Sequence, residues 1–108
     1  MPHTTLEKLI NSDSINIALG RQYFNHNDKL YLKILKNFVT RFEILVLDEL
    51  EEKEIQNTLH LLKGLCATLG MSSLSIIIQK LEKELSEKYL YDFSQEMINT
   101  IKEIKNIS

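Results

Sequence analysis

Apolar residues recur along most of this 108-residue chain at spacings of three and four, which is the period of an amphipathic helix. Either Ser72 or Ser73 is suited to cap a helix, and Asp92 with Gln95 has the spacing of a capping box. Gly70 is placed to end a helix in a left-handed conformation. The pattern predicts five helices. The first three span about 15–24, 28–47 and 52–69, the fourth starts after Ser72 or Ser73, and the fifth starts at Asp92.

Each of the four longer helices has one apolar stripe, which predicts the face that it turns to the core. The stripes are Tyr31, Leu35, Phe38, Phe42 and Leu45; Ile55, Leu59, Leu62, Cys66 and Leu69; Leu74, Ile77, Ile78, Leu81 and Leu85; and Phe93, Met97, Ile101 and Ile104. The charged segment 48–54 is expected to join the second and third helices. Thr4 and Glu7 also have capping-box spacing, so a short helix is expected before the others.

Short connections between long amphipathic helices force neighbouring helices to run in opposite directions. The predicted fold class is therefore all-α, an up-down antiparallel four-helix bundle with a short additional N-terminal helix. Only three glycines and one proline interrupt the chain, which supports a helical fold. With 44% hydrophobic and 26% charged residues, a single domain spanning 1–108 is large enough to form its own core.

Charge and composition exclude several classes of function. The net charge of −2 argues against a nucleic-acid binder, which normally has a basic face. The single Cys66 excludes an internal disulfide. The first ten residues lack the features of a signal peptide, and the apolar run 44–47 is far shorter than a membrane span. We expect a free-standing, monomeric, cytoplasmic protein with no membrane partner.

The candidate chemistry lies on the third helix. With about 100° between successive residues, His60 projects from the face opposite to the apolar stripe. Within about 60° of it lie Gln56, Asn57, Lys63, Gly64 and Ala67, so the imidazole has one cation, one glycine and one alanine around it where an ordinary solvated face would carry several Glu and Lys. An interior glycine costs a helix about 1 kcal/mol relative to alanine, so Gly64 needs a reason. The pattern favours an exposed histidine that something large must approach.

Imidazole is nucleophilic at nitrogen, and Lys63, one turn further along the helix, supplies a positive charge that favours a phosphoryl oxygen. The sequence contains no glycine-rich phosphate loop and is too short for a separate nucleotide-binding domain. A nucleophile without its own donor site implies that a partner protein brings the phosphoryl group. The chain would then be a phosphoryl carrier and not an autonomous kinase.

The segment "HLLKGLCATLG", 60–70, resembles the signature of histidine-containing phosphotransfer (HPt) domains. Leu65 departs from it, since the family usually has a small residue there. The resemblance extends to the short first helix, the polar turn and the long second helix, and to "LSIIIQKLEKEL" in the fourth helix. It covers about 15–104. The positions that fit the signature are His60, Leu62, Lys63, Gly64, Cys66, Leu69 and Gly70.

The resemblance implies an intermediate of a two-component phosphorelay. His60 would accept a phosphoryl group on Nε2 from a receiver-domain aspartate or a sensor or hybrid histidine kinase, and pass it to a response-regulator receiver. The chain itself would bind no cofactor, because the receiver supplies Mg²⁺. Lys63 would offset phosphate charge and Gly64 would allow close docking. Glu82 would either accept a hydrogen bond from Nδ1–H of His60 or be an ordinary solvated charge, and the sequence leaves both open.

The docking surface is expected to be apolar and centred near His60. Gln56 and Ala67 support the site on the third helix. His3 and His26 match nothing in the signature and are expected to be ordinary surface residues. The candidates for partner binding are Ala18, Leu19, Tyr23, Leu30, Ile34, Ala67 and Met71, and any of them is alternatively a core residue of the bundle.

Three other functions of all-helical proteins fit these residues less well. An adaptor or dimerisation module that leaves His60 unphosphorylated has no need for Gly64 beside a lysine and a histidine. A di-iron bundle uses Glu-x-x-His, whereas the residue three before His60 is Asn57. The acidic balance also argues against a helix-turn-helix DNA binder.

Overall fold

The computed structural model describes residues 5–107, and within them the chain forms five α-helices and no strand. The prediction of an all-helical fold is therefore confirmed. Two short 3₁₀ turns, Thr5–Leu9 and Leu47–Glu49, accompany the helices. The α-helices are α1 (Ile17–Tyr23), α2 (Asp28–Phe42), α3 (Glu52–Leu69), α4 (Ser72–Lys83) and α5 (Glu87–Asn106).

The predicted apolar stripes form one continuous core. All five predicted stripe residues of α3 are buried, as are Tyr31, Leu35, Phe38 and Phe42 of α2. Leu74, Ile78 and Leu81 of α4 and Phe93, Met97 and Ile104 of α5 meet them, while Leu45, Ile77 and Ile101 pack at the edge. Leu85 is the exception. It follows the end of α4 and is exposed, so the prediction that it faces the core is wrong.

The contacts between the helices show which of them lie side by side. α3 contacts α1, α2 and α4, and α5 contacts both α2 and α4. α4 runs back along α3, since only Gly70 and Met71 separate them and Lys63 in the middle of α3 reaches Glu82 near the end of α4. None of these helices combines the length and the hydropathy that crossing a bilayer requires, in the part of the chain that the structure describes.

The end of α3 is fixed by what we call the glycine corner, which comprises Asn16, Gly20, Tyr31, Leu69 and Gly70. Gly70 ends α3 with a φ of 78°, as predicted, and the amide of Asn16 donates a hydrogen bond of 2.7 Å to its carbonyl oxygen. The Tyr31 hydroxyl donates to the carbonyl oxygen of Leu69 at 2.6 Å. A Cβ on Gly20 would overlap the Tyr31 ring, so α1 passes this close to α2 only because Gly20 has no side chain.

Two helix boundaries differ from the sequence prediction. α2 ends at Phe42 and not near Leu47, because Ile44 and Val46 are weak helix formers and the following 3₁₀ turn carries Leu47 into the core. α5 begins at Glu87, five residues before Asp92. The side chain of Ser86 caps it by accepting a hydrogen bond of 3.2 Å from the amide of Tyr89.

The start of α4 also differs. Met71 occupies its N-cap position without a side-chain cap, so neither Ser72 nor Ser73 caps the helix. The Ser73 hydroxyl instead donates a hydrogen bond of 3.0 Å to the carbonyl oxygen of Asp13. At the N-terminus the additional helix is a 3₁₀ turn, Thr5–Leu9. The predicted capping residue Thr4 lies outside the described residues.

Candidate functional site

His60 lies near the middle of α3 with its side chain exposed. Leu59 and Leu62 on the opposite face are buried in the core, and their packing fixes the rotation of the helix that turns His60 outward. Among the described residues, no group forms a hydrogen bond with the imidazole. Both ring nitrogens of His60 are therefore accessible for chemistry with an incoming molecule.

Gly64 lies one turn beyond His60 on the same exposed face. A Cβ built on Gly64 would meet no atom of residues 5–107 within 4 Å, so packing among these residues does not require a glycine at this position. Ala67, one further turn along, is exposed as well. Along the line from His60 through Gly64 to Ala67, α3 therefore presents only the methyl group of Ala67 beyond the imidazole.

Lys63 forms an ion pair across the α3–α4 interface. Its Nζ lies 3.2 Å from Oε1 of Glu82, and the two side chains are 48% and 28% exposed. This contact was not predicted from the sequence. Glu82 does not form the anticipated hydrogen bond with His60, and it is not an unpaired solvated charge either. Instead, it pairs with Lys63, the cation one turn from His60 on α3.

A groove of about 560 Å³ opens beside His60, between the first half of α3 and the last turn of α4. Leu59, Leu81 and Leu85 form its apolar part. Its polar lining is acidic, because three carboxylates face it with a single lysine. The polar residues are Glu52, Gln56 and His60 from α3, and Glu82, Lys83 and Glu84 from α4 and its exit.

Exposed apolar residues lie on the other side of His60, toward the end of α3. Tyr23 of α1 and Ile76 of α4 are 60% and 55% exposed. Together with Leu19 and Ala67 they line a shallow groove of about 280 Å³, and we call these four residues the apolar face. Ala67 lies seven residues from His60, a distance of about 10 Å along the helix.

The remaining docking candidates lie in different environments. Ala18 and Leu30 are exposed and Ile34 is half-buried. Met71 is fully buried, so the expectation that it contributes to the docking surface is wrong. The reason is the left-handed turn at Gly70, after which the Met71 amide bonds to the carbonyl oxygen of Cys66 and its side chain points into the core.

Ile76 is the residue of the apolar face that sequence reasoning missed. A signal was present, since Ile76 falls between the core positions Leu74 and Ile78 and off the stripe that they define. An isoleucine off the stripe of an amphipathic helix faces solvent. Leu65, which departs from the HPt signature, is half-buried against the core and lines a small groove with Phe38 and Leu69. It adds packing between α2 and α3.

The site therefore combines an accessible imidazole, a lysine held one turn away, and an open strip of backbone leading to an apolar face. Such an arrangement suits nucleophilic chemistry on a group that a partner macromolecule brings. Comparisons of the chain with protein-family models, with curated proteins and with solved structures gave no match.

Proposed function

We propose that this chain is a histidine phosphotransfer protein that accepts a phosphoryl group on His60 and passes it to the aspartate of a receiver domain. The fold that goes with this function is an up-down antiparallel bundle of α2, α3, α4 and α5, with α1 packed across α3. The closed series of contacts from α2 to α3, α4, α5 and back to α2 supports this arrangement.

The observation that carries the proposal is the environment of Gly64. A glycine inside an α-helix lowers stability by about 1 kcal/mol relative to alanine, and no contact with the described residues requires one here. Its position one turn from an exposed histidine that has no partner among those residues supports an external reason. A partner must approach the backbone of α3 closely for the phosphorus atom to reach the imidazole.

The proposed reaction needs no cofactor on this chain. A ring nitrogen of neutral His60, Nε2 in the HPt pattern, attacks the phosphorus of an aspartyl phosphate. The N–P bond forms while the P–O bond breaks, and the electron pair of that bond leaves on the aspartate carboxylate. The reverse step returns the electron pair to the nitrogen. Lys63, one turn from His60, offsets part of the phosphoryl charge, and the receiver supplies Mg²⁺.

The apolar face gives the receiver a surface on which to dock. Tyr23 and Ile76 are large and exposed, and they line one groove with Ala67, at the far end of the line that runs from His60 through Gly64. Large exposed apolar side chains supply much of the affinity of protein interfaces. Docking there would place the receiver over the strip of α3 that lacks side chains.

The test is transfer of a labelled phosphoryl group. A phosphorylated receiver domain with Mg²⁺ should label this protein, and the label should be labile in acid and stable in base, as expected of a phosphoramidate. His60→Gln should abolish labelling. If His60→Gln is labelled at the normal rate, the proposed function is wrong.

His26→Asn is the matched control. His26 is also an exposed histidine, but it lies in the turn between α1 and α2, where its φ is 61°, and asparagine tolerates that conformation. His26→Asn should be labelled as the unaltered protein is. No labelling of any variant by a receiver that phosphorylates other phosphotransfer proteins would instead favour the adaptor function.

A further inference from the structure

The ion pair between Lys63 and Glu82 lies where a phosphoryl group on His60 would have to be accommodated. Lys63 is three residues after His60, so their Cβ atoms are about 5–6 Å apart on the same helix face. Glu82 lines the groove beside His60 and contacts Lys63 at 3.2 Å. The only cation one turn from the imidazole is thus already neutralised, within the part of the chain that the structure describes.

A phosphoryl group on His60 would add roughly two negative charges at this site. Glu82 would then oppose them in two ways. Its carboxylate competes with the phosphoryl oxygens for Lys63, and it repels them directly across the groove. The side chain of Glu82 is only 28% exposed, so water screens this interaction less than it screens a fully exposed pair.

We propose that Glu82 is a positioning residue that holds Lys63 away from the phosphoryl group and thereby makes phosphorylated His60 a better phosphoryl donor. The inference rests on the proposed function and adds the direction in which phosphoryl transfer is favoured. Because both effects of Glu82 destabilise the phosphorylated form, the equilibrium of transfer is displaced toward the receiver.

The experiment is a competition for one pool of phosphoryl groups. Tagged unaltered protein and Glu82→Gln are mixed in equal amounts with a catalytic amount of one phosphorylated receiver domain and Mg²⁺. At equilibrium the ratio of phosphorylated to free protein is compared for the two. We expect this ratio to be about threefold to tenfold higher for Glu82→Gln. The comparison is independent of docking, since it depends only on the free and phosphorylated end states.

Two further variants distinguish an effect of the Lys63–Glu82 ion pair from an effect of any negative charge in the groove. Glu84→Gln removes another carboxylate that lines the same groove without contacting Lys63, and its ratio should stay within about twofold of the unaltered protein. In a Lys63→Met background, Glu82→Gln should lose at least about half of its effect on a logarithmic scale, because the competition for the lysine is gone.

Equal ratios for Glu82→Gln and the unaltered protein would overturn the inference, and so would an equal effect of Glu84→Gln or an undiminished effect without Lys63. Far-UV circular dichroism establishes that each variant is folded. Failure of the proposed function looks different, because no variant would then take up any phosphoryl group at His60.

Discussion

The glycine corner and the strip of α3 surface from His60 through Gly64 to Ala67 both depend on glycine, for opposite reasons. At the corner, a Cβ on Gly70 would overlap the carbonyl oxygen of Asn16, and a Cβ on Gly20 would overlap Tyr31. On the strip, a Cβ on Gly64 would meet no atom of the described residues within 4 Å. The corner therefore needs its glycines in order to fold, whereas packing within the described part of the chain gives no reason for Gly64, and the proposed docking of a partner would.

The polar side chains of the two regions differ in the same way. The Tyr31 hydroxyl is buried, donates to Leu69, and has its pKa raised to about 12, chiefly by burial. This hydrogen bond holds the end of α3 in place. His60 is exposed and has no partner within the described residues. Tyr31 is thus used within the fold, whereas His60 is left available for the phosphoryl transfer that we propose.

The largest effect is expected at Gly70. Gly70→Ala places a side chain in a left-handed conformation and against the Asn16 carbonyl group, so the free energy of unfolding should fall by about 3 kcal/mol. Urea denaturation followed by circular dichroism measures it. A loss below about 1 kcal/mol would show that the corner adapts easily, and the contrast with Gly64 would then weaken.

Gly20→Ala should cost about 2 kcal/mol, because the new methyl group displaces the Tyr31 ring from its hydrogen bond. The cost should be smaller in a Tyr31→Phe background, where no hydroxyl group has to be kept in place. A double-mutant cycle measures this coupling. Additive effects of the two substitutions would contradict the proposed contact.

Alkaline pH should weaken the corner through Tyr31. The hydroxyl loses its proton near pH 10 in the unfolded chain and near pH 12 in the folded one, so the stabilisation is complete below pH 10 and is lost as the pH rises toward 12. We expect a loss of about 1–2 kcal/mol over this interval. Tyr31→Phe should flatten the dependence, and Tyr23→Phe, which alters an exposed tyrosine, should not.

That measurement requires a Cys66→Ala background for every protein compared. Burial also raises the pKa of the Cys66 thiol to about 12, so this group titrates in the same interval. If the free energy of unfolding falls as steeply with pH in the Tyr31→Phe variant as in the protein that keeps Tyr31, the hydroxyl group does not contribute as inferred.

The smallest change in stability is expected at Gly64, with the opposite sign. Gly64→Ala should raise the free energy of unfolding by about 0.5–1 kcal/mol, because alanine is the better helix former and space is available. Phosphoryl transfer from a receiver should nevertheless slow, by about tenfold or more for the longer side chain of Gly64→Gln. Denaturation and labelling rates measure the two effects. A more stable protein that transfers at the normal rate would refute the external role of Gly64.

Much of the molecule could be predicted from local pattern. The bounds of α3 and its five buried residues follow from the helical period together with the cap at Gly70, because a long amphipathic helix leaves few alternatives for its buried face. The same period placed His60, Lys63 and Gly64 on the exposed side. Boundaries were less predictable, since Ser86 and Asp92 both have cap-forming side chains and packing of Tyr89 and Leu90 against the core favours the earlier start.

The sequence by itself determined an all-helical chain and an outward-facing histidine beside a glycine, because both follow from the angle between successive residues of one helix. Contacts between helices were decided only by the tertiary structure. Pairing of Lys63 with Glu82, burial of Met71 and the position of Ile76 beside Tyr23 all depend on how α1 and α4 pack on α3. The period of a helix fixes directions around its own axis, and it carries no information on which side chain of a neighbouring helix will lie opposite.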